Sequence, residues 1–224
     1  MSVWGILVAA GRGERLGLDR PKAFARLRGR PLLAESLERL DESEWVDAIV
    51  VAAPPGWEEP ALLLAEELGC GKVVSCVTGG VTRADSVRLA LAEVPEEAVV
   101  ALVHDAARPL LPPEVVGRVL SPLSDGWDAA VPALPILDTV KRVQRDAVVE
   151  TLDRSGLVTV QTPQAVVAAV LRQAMAGDVS GATDCAFLVE RAGGRVRVVE
   201  GDPRLLKVTD AEDLERVERL LAET

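Results

Sequence analysis

Apolar residues fall into two alternating spacings along the first half of the chain. VWGILVAA, residues 3–10, is a short unbroken apolar run, the pattern of a strand buried on both faces. PLLAESLERL, residues 31–40, repeats its apolar positions at helical spacing and begins with Pro31, a residue suited to a helix start. VDAIVVAAP reads as a second buried strand halted by Pro54-Pro55-Gly56, WEEPALLLAEELG as a helix and KVVSCV as a strand. TGGVTRADSVRLALAEV passes from a glycine turn into a helix, and AVVALVHDAARP is again a buried strand. This βαβα order predicts a mostly parallel sheet covered by helices.

After Pro112-Pro113-Glu114, which opens a further helix, the pattern changes. DAAVPALPI carries prolines, which predicts an edge strand or a segment leaving the sheet. DTVKRVQRDAVVETLDR has two β-type runs around QRDA, a hairpin arm over about 136–152 that is too thin to form a domain alone. GLVTVQTPQ resumes the sheet; helices are predicted over roughly 164–176 and 182–192, and RVRVVEGDPRLLKV supplies more strand. TDAEDLERVERLLAE closes the chain as a helix, with Thr209 as N-cap and Glu212 completing a capping box,. No repeat or linker interrupts residues 1–224, which read as one α/β domain with an inserted hairpin.

Composition narrows the classes. A net charge of −10 argues against nucleic acid as a partner, because phosphate-tracking proteins carry a basic excess. No stretch approaches the ~18 uncharged apolar residues of a membrane span, and the start lacks the basic leader of a secretory signal. Cys70, Cys76 and Cys185 have neither disulfide-framework numbers nor metal-like spacing,. The single histidine excludes a multi-histidine metal site, and a reducing, cytoplasmic compartment is expected. Of 25 basic residues only Lys22, Lys72, Lys141 and Lys207 are lysines. Genome composition and heat adaptation would both give that bias; a lysine that survives it is either chance or a compact ammonium that is needed.

Three strand ends carry candidate chemistry. GILVAAGRGERLGLDRPKAF, residues 5–24, sets Gly11, Gly13 and Gly17 among Arg12, Arg15, Arg20 and Lys22. The spacing misses the dinucleotide fingerprint by one residue and lacks the Lys-Ser/Thr of a P-loop. Ligands of open α/β sheets bind beyond the carboxyl ends of the strands, where glycines let backbone N–H groups approach phosphate. VHDAARP, residues 103–109, puts His104, Asp105 and Arg108 at another such end. A lone aspartate there suits Mg²⁺, which takes one or two carboxylates plus phosphate oxygens, whereas the lone histidine is better read as a packed, hydrogen-bonded residue. TGGVTRADSV, residues 78–87, offers Gly79 and Gly80 to a flat base and a hydroxyl from Ser86. Asp138, Thr139, Lys141, Arg154, Thr162, Thr183, Asp184 and Lys207 form a later polar set; singly, each reads as surface or cap.

Taken in order, AAGRGERLG…PK, GGVTRADSV, VHDAARP, DTVK, LDRSGLVTVQTPQ, TD at 183–184 and KVTDAEDL resemble the 2-C-methyl-D-erythritol 4-phosphate cytidylyltransferases over essentially the whole chain. The resemblance implies a single Rossmann-like nucleotidyltransferase domain over 1–224 and a reaction of CTP with a polyol phosphate, with Mg²⁺, in the non-mevalonate isoprenoid pathway. It implies Arg15 and Lys22 as transition-state stabilisers and Ala9, Ala10, Gly11, Gly80, Ser86 and Ala106 around the nucleotide. Asp105 falls at the metal and substrate edge, with Arg108 and Thr183 beside it. Thr139, Arg154 and Lys207 match residues that hold the methylerythritol phosphate, Arg154 and Lys207 positioning it for attack. The arm would lock a homodimer, Thr139 and Arg154 acting across the interface. Two positions depart from the family pattern: Leu205 stands where Asn is common in N-x-K, and Val81 where relatives can carry a polar residue. Rival readings are a cytidylyltransferase for ribitol 5-phosphate, a guanylyl or sugar-1-phosphate nucleotidyltransferase, and a non-catalytic nucleotide binder.

Overall fold

The computed structural model describes residues 1–222; Glu223, at the end of the expected last helix, and Thr224 lie outside the described residues. β1 (Val3–Val8) leads into two 3₁₀ turns, Glu14–Leu16 and Lys22–Phe24. A small ribbon of β2 (Arg26–Leu27) and β3 (Arg30–Pro31) precedes α1 (Leu32–Asp41). Then come β4 (Ala48–Ala53), α2 (Glu58–Glu67), β5 (Val73–Thr78), α3 (Arg83–Leu91), β6 (Val100–Asp105) and α4 (Pro113–Ser124). β7 (Ala129–Pro135) precedes the arm, β8 (Lys141–Gln144) and β9 (Ala147–Thr151). The remainder is β10 (Val158–Val160), β11 (Gln164–Val167), α5 (Ala168–Ala176), α6 (Cys185–Arg191), β12 (Val196–Glu200) and α7 (Ala211–Ala222).

The main sheet runs β10-β7-β11-β6-β1-β4-β5, with β12 also on β7. β1 is parallel to β4 and β6, β4 to β5, and β7 to β12; only β10 and β11 run antiparallel to their neighbours. Alternate residues feed opposite cores, as a pleated strand requires. Val3 and Leu7 pack with α1, α2 and α4, while Ile6 packs with α3, α5 and α6. A smaller cluster of Leu27, Leu32, Leu110, Val208 and Val217 seats α7 against the β2–β3 ribbon.

Three details depart from the sequence expectations. β7 is no edge: it lies between β12 and the β10/β11 pair. Its Pro132 is tolerated because the chain on that side breaks between Val160 and Gln164, and only the Gln161 N–H reaches the Pro132 carbonyl. Residues 164–167 continue the sheet before α5 begins; the run QAVV is apolar at both spacings, and pairing with β6 decides it. The cap of α7 moves by one residue: Asp210 accepts from the Asp213 N–H at 3.0 Å and Asp213 reaches back to the Thr209 N–H at 2.9 Å.

The expected hairpin is present as a separate two-stranded ribbon, exposed along both strands. Its turn is Arg145-Asp146, with Arg145 at φ 54, and an Arg142–Glu150 pair at 2.8 Å crosses it.

Candidate active site

Strands β1, β4, β5 and β6 run in one direction, so the loops after them leave the sheet at a shared edge. The ladder extends into each loop: Ala9 donates to the Ala52 carbonyl, Gly79 to that of Ala53 and Ala106 to that of Val8. These loops wall a cleft of about 780 Å³. Ala9, Ala10, Gly11, Lys22, Gly80, Ser86, Asp105, Ala106 and Lys207 all line it. Residues from four separate sequence motifs are thereby brought to one place.

Two glycines make the packing possible. A Cβ on Gly79 would stand 2.2 Å from the Ala10 Cβ, so the loops after β1 and β5 touch only because that carbon is missing. Gly13 has φ +70 and a Cβ there would meet the Lys22 Cβ at 2.6 Å, which lets the glycine loop fold down over Lys22. A capping box holds the first turn of α3, Thr82 and Asp85 exchanging bonds, and so fixes Arg83 and Ser86. The Ser86 hydroxyl accepts from the Gly80 N–H at 3.1 Å and donates to the Thr82 carbonyl at 3.0 Å. It therefore ties the glycine turn to α3.

Asp105 is the electrostatic centre. It is 5% exposed, accepting from Arg83 Nε at 2.8 Å and from Lys207 Nζ at 2.7 Å. Burial works to raise its pKa, but Arg83 and Lys207 overcome that and hold the carboxyl well below the usual range,. Lys22 is partly buried and donates to the Val208 carbonyl at 3.2 Å. Burial, then the like charges of Lys207, Arg15 and Arg108, lower its pKa, with Asp105 opposing. One carboxylate thus faces the positive charges of Lys22, Arg83, Arg108 and Lys207. This local excess of partly buried positive charge favours an anion at the cleft, and a polyphosphate is one.

His104 is structural, as the sequence suggests. It is fully buried, its Nε2 lies 3.0 Å from the Arg108 carbonyl and its Nδ1 3.2 Å from Thr162 Oγ1. A carbonyl can only accept, so Nε2 carries the proton and Nδ1 accepts from the Thr162 hydroxyl, which in turn accepts from the Asp105 N–H,. Burial pushes the imidazole down to about 4. The chain Asp105–Thr162–His104–Arg108 is a brace for the loop after β6, and Thr162 is part of it.

Other expected residues stand apart. Arg15 is exposed on the 3₁₀ turn between Gly13 and Gly17 and does not line the cleft, whereas Arg12 and Arg20 do. Arg108 lies behind the wall, its guanidinium on the Leu205 carbonyl. Thr139 and Arg154 are exposed at the two feet of the arm, outside this cleft. Thr183 is exposed and also outside it, preceding Asp184, which caps α6. Leu205, the departure from N-x-K, is fully buried in the main core and offers the site only its carbonyl. Val81, by contrast, lines the cleft and is 95% exposed. Sequence reasoning misses Arg83; its position as first residue of α3, one turn from Ser86, is the available signal.

Comparison with known proteins agrees with these motifs. The family model for 2-C-methyl-D-erythritol 4-phosphate cytidylyltransferase (IspD) matches residues 3–223. The 2-C-methyl-D-erythritol 4-phosphate cytidylyltransferase of Saccharopolyspora erythraea is 48% identical, covering 99% of this chain and 100% of its own. That of Nocardia farcinica is 48% identical over 98% of this chain and 94% of its own. Among solved structures, the enzyme of the same description from Thermus thermophilus superposes with a TM-score of 0.78 at 34% identity, covering 97% and 98% of the two chains.

Proposed function

The chain belongs to the 2-C-methyl-D-erythritol 4-phosphate cytidylyltransferase family, and we propose that the cleft at the carboxyl edge of its sheet is where the family's reaction runs. The enzyme transfers a cytidylyl group from CTP to 2-C-methyl-D-erythritol 4-phosphate in isoprenoid biosynthesis, releasing pyrophosphate. The observation that carries the proposal is the convergence of Lys22, Asp105 and Lys207, from three separate segments, on one cleft beside the glycine loops.

In this reading the acceptor's phosphate oxygen attacks the α-phosphorus of CTP in line, one P–O bond forming as the bond to pyrophosphate breaks. The protein's share is positioning and charge stabilisation. Ala9, Ala10, Gly11, Gly80 and Ala106 present backbone to the nucleotide, and Ser86 keeps the glycine turn in shape. Lys22 neutralises charge growing on the α-phosphate; Arg15 is assigned to the same task by the family likeness alone, since its side chain stands outside the cleft. Lys207 and, across a dimer, Thr139 and Arg154 hold the acceptor; Arg108 and Thr183 support that side.

Among the described residues no group of three or more His, Cys, Asp or Glu side chains is placed to hold a metal. Asp105 is one buried oxygen donor lining the cleft, which fits Mg²⁺ arriving with the triphosphate and taking its other ligands from phosphate and water. Bound there, the ion would neutralise phosphate charge.

A homodimer through the arm and a reducing, cytoplasmic setting complete the proposal. The three cysteines are free, with burial pushing Cys70 and Cys76 up to about 11. Among the described residues no helix is long and apolar enough to cross a membrane.

The test mixes the protein with Mg²⁺, each nucleoside triphosphate, and either methylerythritol 4-phosphate or ribitol 5-phosphate, and measures pyrophosphate. Release with CTP and methylerythritol phosphate alone is expected. Release with ribitol phosphate instead would keep the site and change the acceptor, and bound CTP without release would leave a binder.

A further inference from the structure

Neither oxygen of Asp105 is free of a cation: Oδ1 accepts from Arg83 Nε at 2.8 Å and Oδ2 from Lys207 Nζ at 2.7 Å. The two cations are held very differently. Arg83 is the first residue of a capped helix, its side chain is 20% exposed, and its Nη1 is also engaged by Cys185 Sγ at 3.6 Å. Lys207 stands on the loop between β12 and α7, its side chain is 42% exposed, and among the described residues Asp105 is its one salt-bridge partner.

The backbone around Lys207 is pinned. The Leu205 carbonyl takes the Arg108 guanidinium, the Val208 N–H donates to the Ala107 carbonyl at 2.8 Å, and the Val208 carbonyl takes Lys22 Nζ at 3.2 Å. Only the four-carbon stem of Lys207 is left to swing.

A buried carboxylate needs a counter-charge at all times. A divalent cation delivered with a triphosphate would serve, but a metal and an ammonium cannot share Oδ2 without facing each other at contact distance. We infer that the Lys207 ammonium is a placeholder on Asp105. It balances the carboxylate until the metal–triphosphate arrives, then yields Oδ2 and turns to the phosphate of the acceptor. One side chain thereby serves two anions in succession, and the acceptor's cation is released only after the nucleotide is in place. Arg83 stays and keeps Asp105 oriented throughout. This inference rests on the reading of Asp105 as the metal edge.

The experiment measures Mn²⁺ alone binding to the CTP-free chain, by loss of the free-ion electron paramagnetic resonance signal. It compares wild type, Lys207→Met, Lys207→Gln, Asp105→Asn and the double variant Asp105→Asn/Lys207→Met, with circular dichroism to confirm folding. Removing the competing ammonium is expected to tighten Mn²⁺ binding by about tenfold, the scale of one charge-assisted hydrogen bond. The double variant should lose that gain. Affinity in Lys207→Met and Lys207→Gln equal to or weaker than wild type, including none detectable, overturns the exchange. A gain that persists without the Asp105 carboxylate overturns instead the placing of the metal at Asp105. Should the Lys207 variants not fold, the wild-type chain decides: acylation of Lys207 followed by mass spectrometry must rise on adding Mn²⁺, and an unchanged rate rejects the placeholder.

Discussion

Lys22 differs from the surrounding arginines in how closely the chain wraps it. Gly13 crosses above its Cβ, and its ammonium reaches the Val208 carbonyl. An interaction made only as charge grows on the α-phosphate lowers the barrier without tightening substrate binding. Lys22→Ala should therefore lose on the order of 10²- to 10³-fold in kcat, the scale of one lost transition-state donor, with KM for CTP far less changed. Lys22→Arg should stay poor, because a broad planar guanidinium does not replace a compact ammonium. Ordinary turnover by Lys22→Ala would remove it from catalysis.

His104 makes the second prediction at this scale. Its folded pKa is about 4, so below pH 6.5 the unfolded chain binds a proton that the folded chain refuses. Its stabilising share is complete above pH 6.5 and falls as pH drops toward 4, by roughly 3 kcal/mol in all. Asp105, held well below the usual carboxylate range, keeps its share through that interval and loses it only at more acid pH. Because His104 is the sole histidine, urea melts between pH 7 and 4 should show the slope in wild type and a flatter one in His104→Gln. Parallel slopes would mean the ring is not buried neutral.

Among the elements, the loops after β1 and β5 meet through Gly79 and Ala10. Gly79→Ala must drive them apart, since its Cβ would overlap the Ala10 Cβ at 2.2 Å; overpacking of this kind costs about 1–3 kcal/mol. Weaker CTP binding with a lowered urea midpoint is expected, and unchanged CTP affinity would place the base elsewhere. The strands that build this edge are readable because each is a short apolar run ending in glycine or proline, and that local pattern survives without tertiary context. Sequence misplaces β7 because Pro132 normally signals an edge; its tolerance depends on a break in the neighbouring strand, which is a fact of pairing. The run at 164–167 reads as helix because an unbroken apolar stretch fits both periods, and only the partner β6 chooses. Leu205 stands out by its motif, yet whether a side chain faces cleft or core depends on the turn of the loop. Arg83 escapes notice for the same reason: nothing local tells that its guanidinium bends toward an aspartate 22 residues on.

For the molecule as a whole, the arm is the part that one chain does not explain. A lone two-stranded hairpin is marginal in water, yet this one carries Val143, Val148 and Val149 each more than half exposed, with Leu137 80% exposed at its foot. Thr139 and Arg154 sit at the two feet of the arm, outside the cleft of their own chain. A second copy that covers the arm and receives these residues accounts for both facts. Replacing residues 140–152 with a short Gly-Ser turn should then give a monomer by light scattering, with CTP affinity kept and turnover lost. Complementation separates a shared site from mere loss of stability. On this proposal Lys22→Ala and Arg154→Ala should each inactivate every site of a homodimer. In a mixed dimer, one of the two clefts receives its Lys22 from one chain and its Arg154 from the other, and is whole. With random exchange, half the dimers are mixed and half their sites are whole, so mixing should restore about a quarter of wild-type activity. If tagged subunits demonstrably exchange and the mixture stays inactive, each chain completes its own acceptor site, and the arm serves assembly alone.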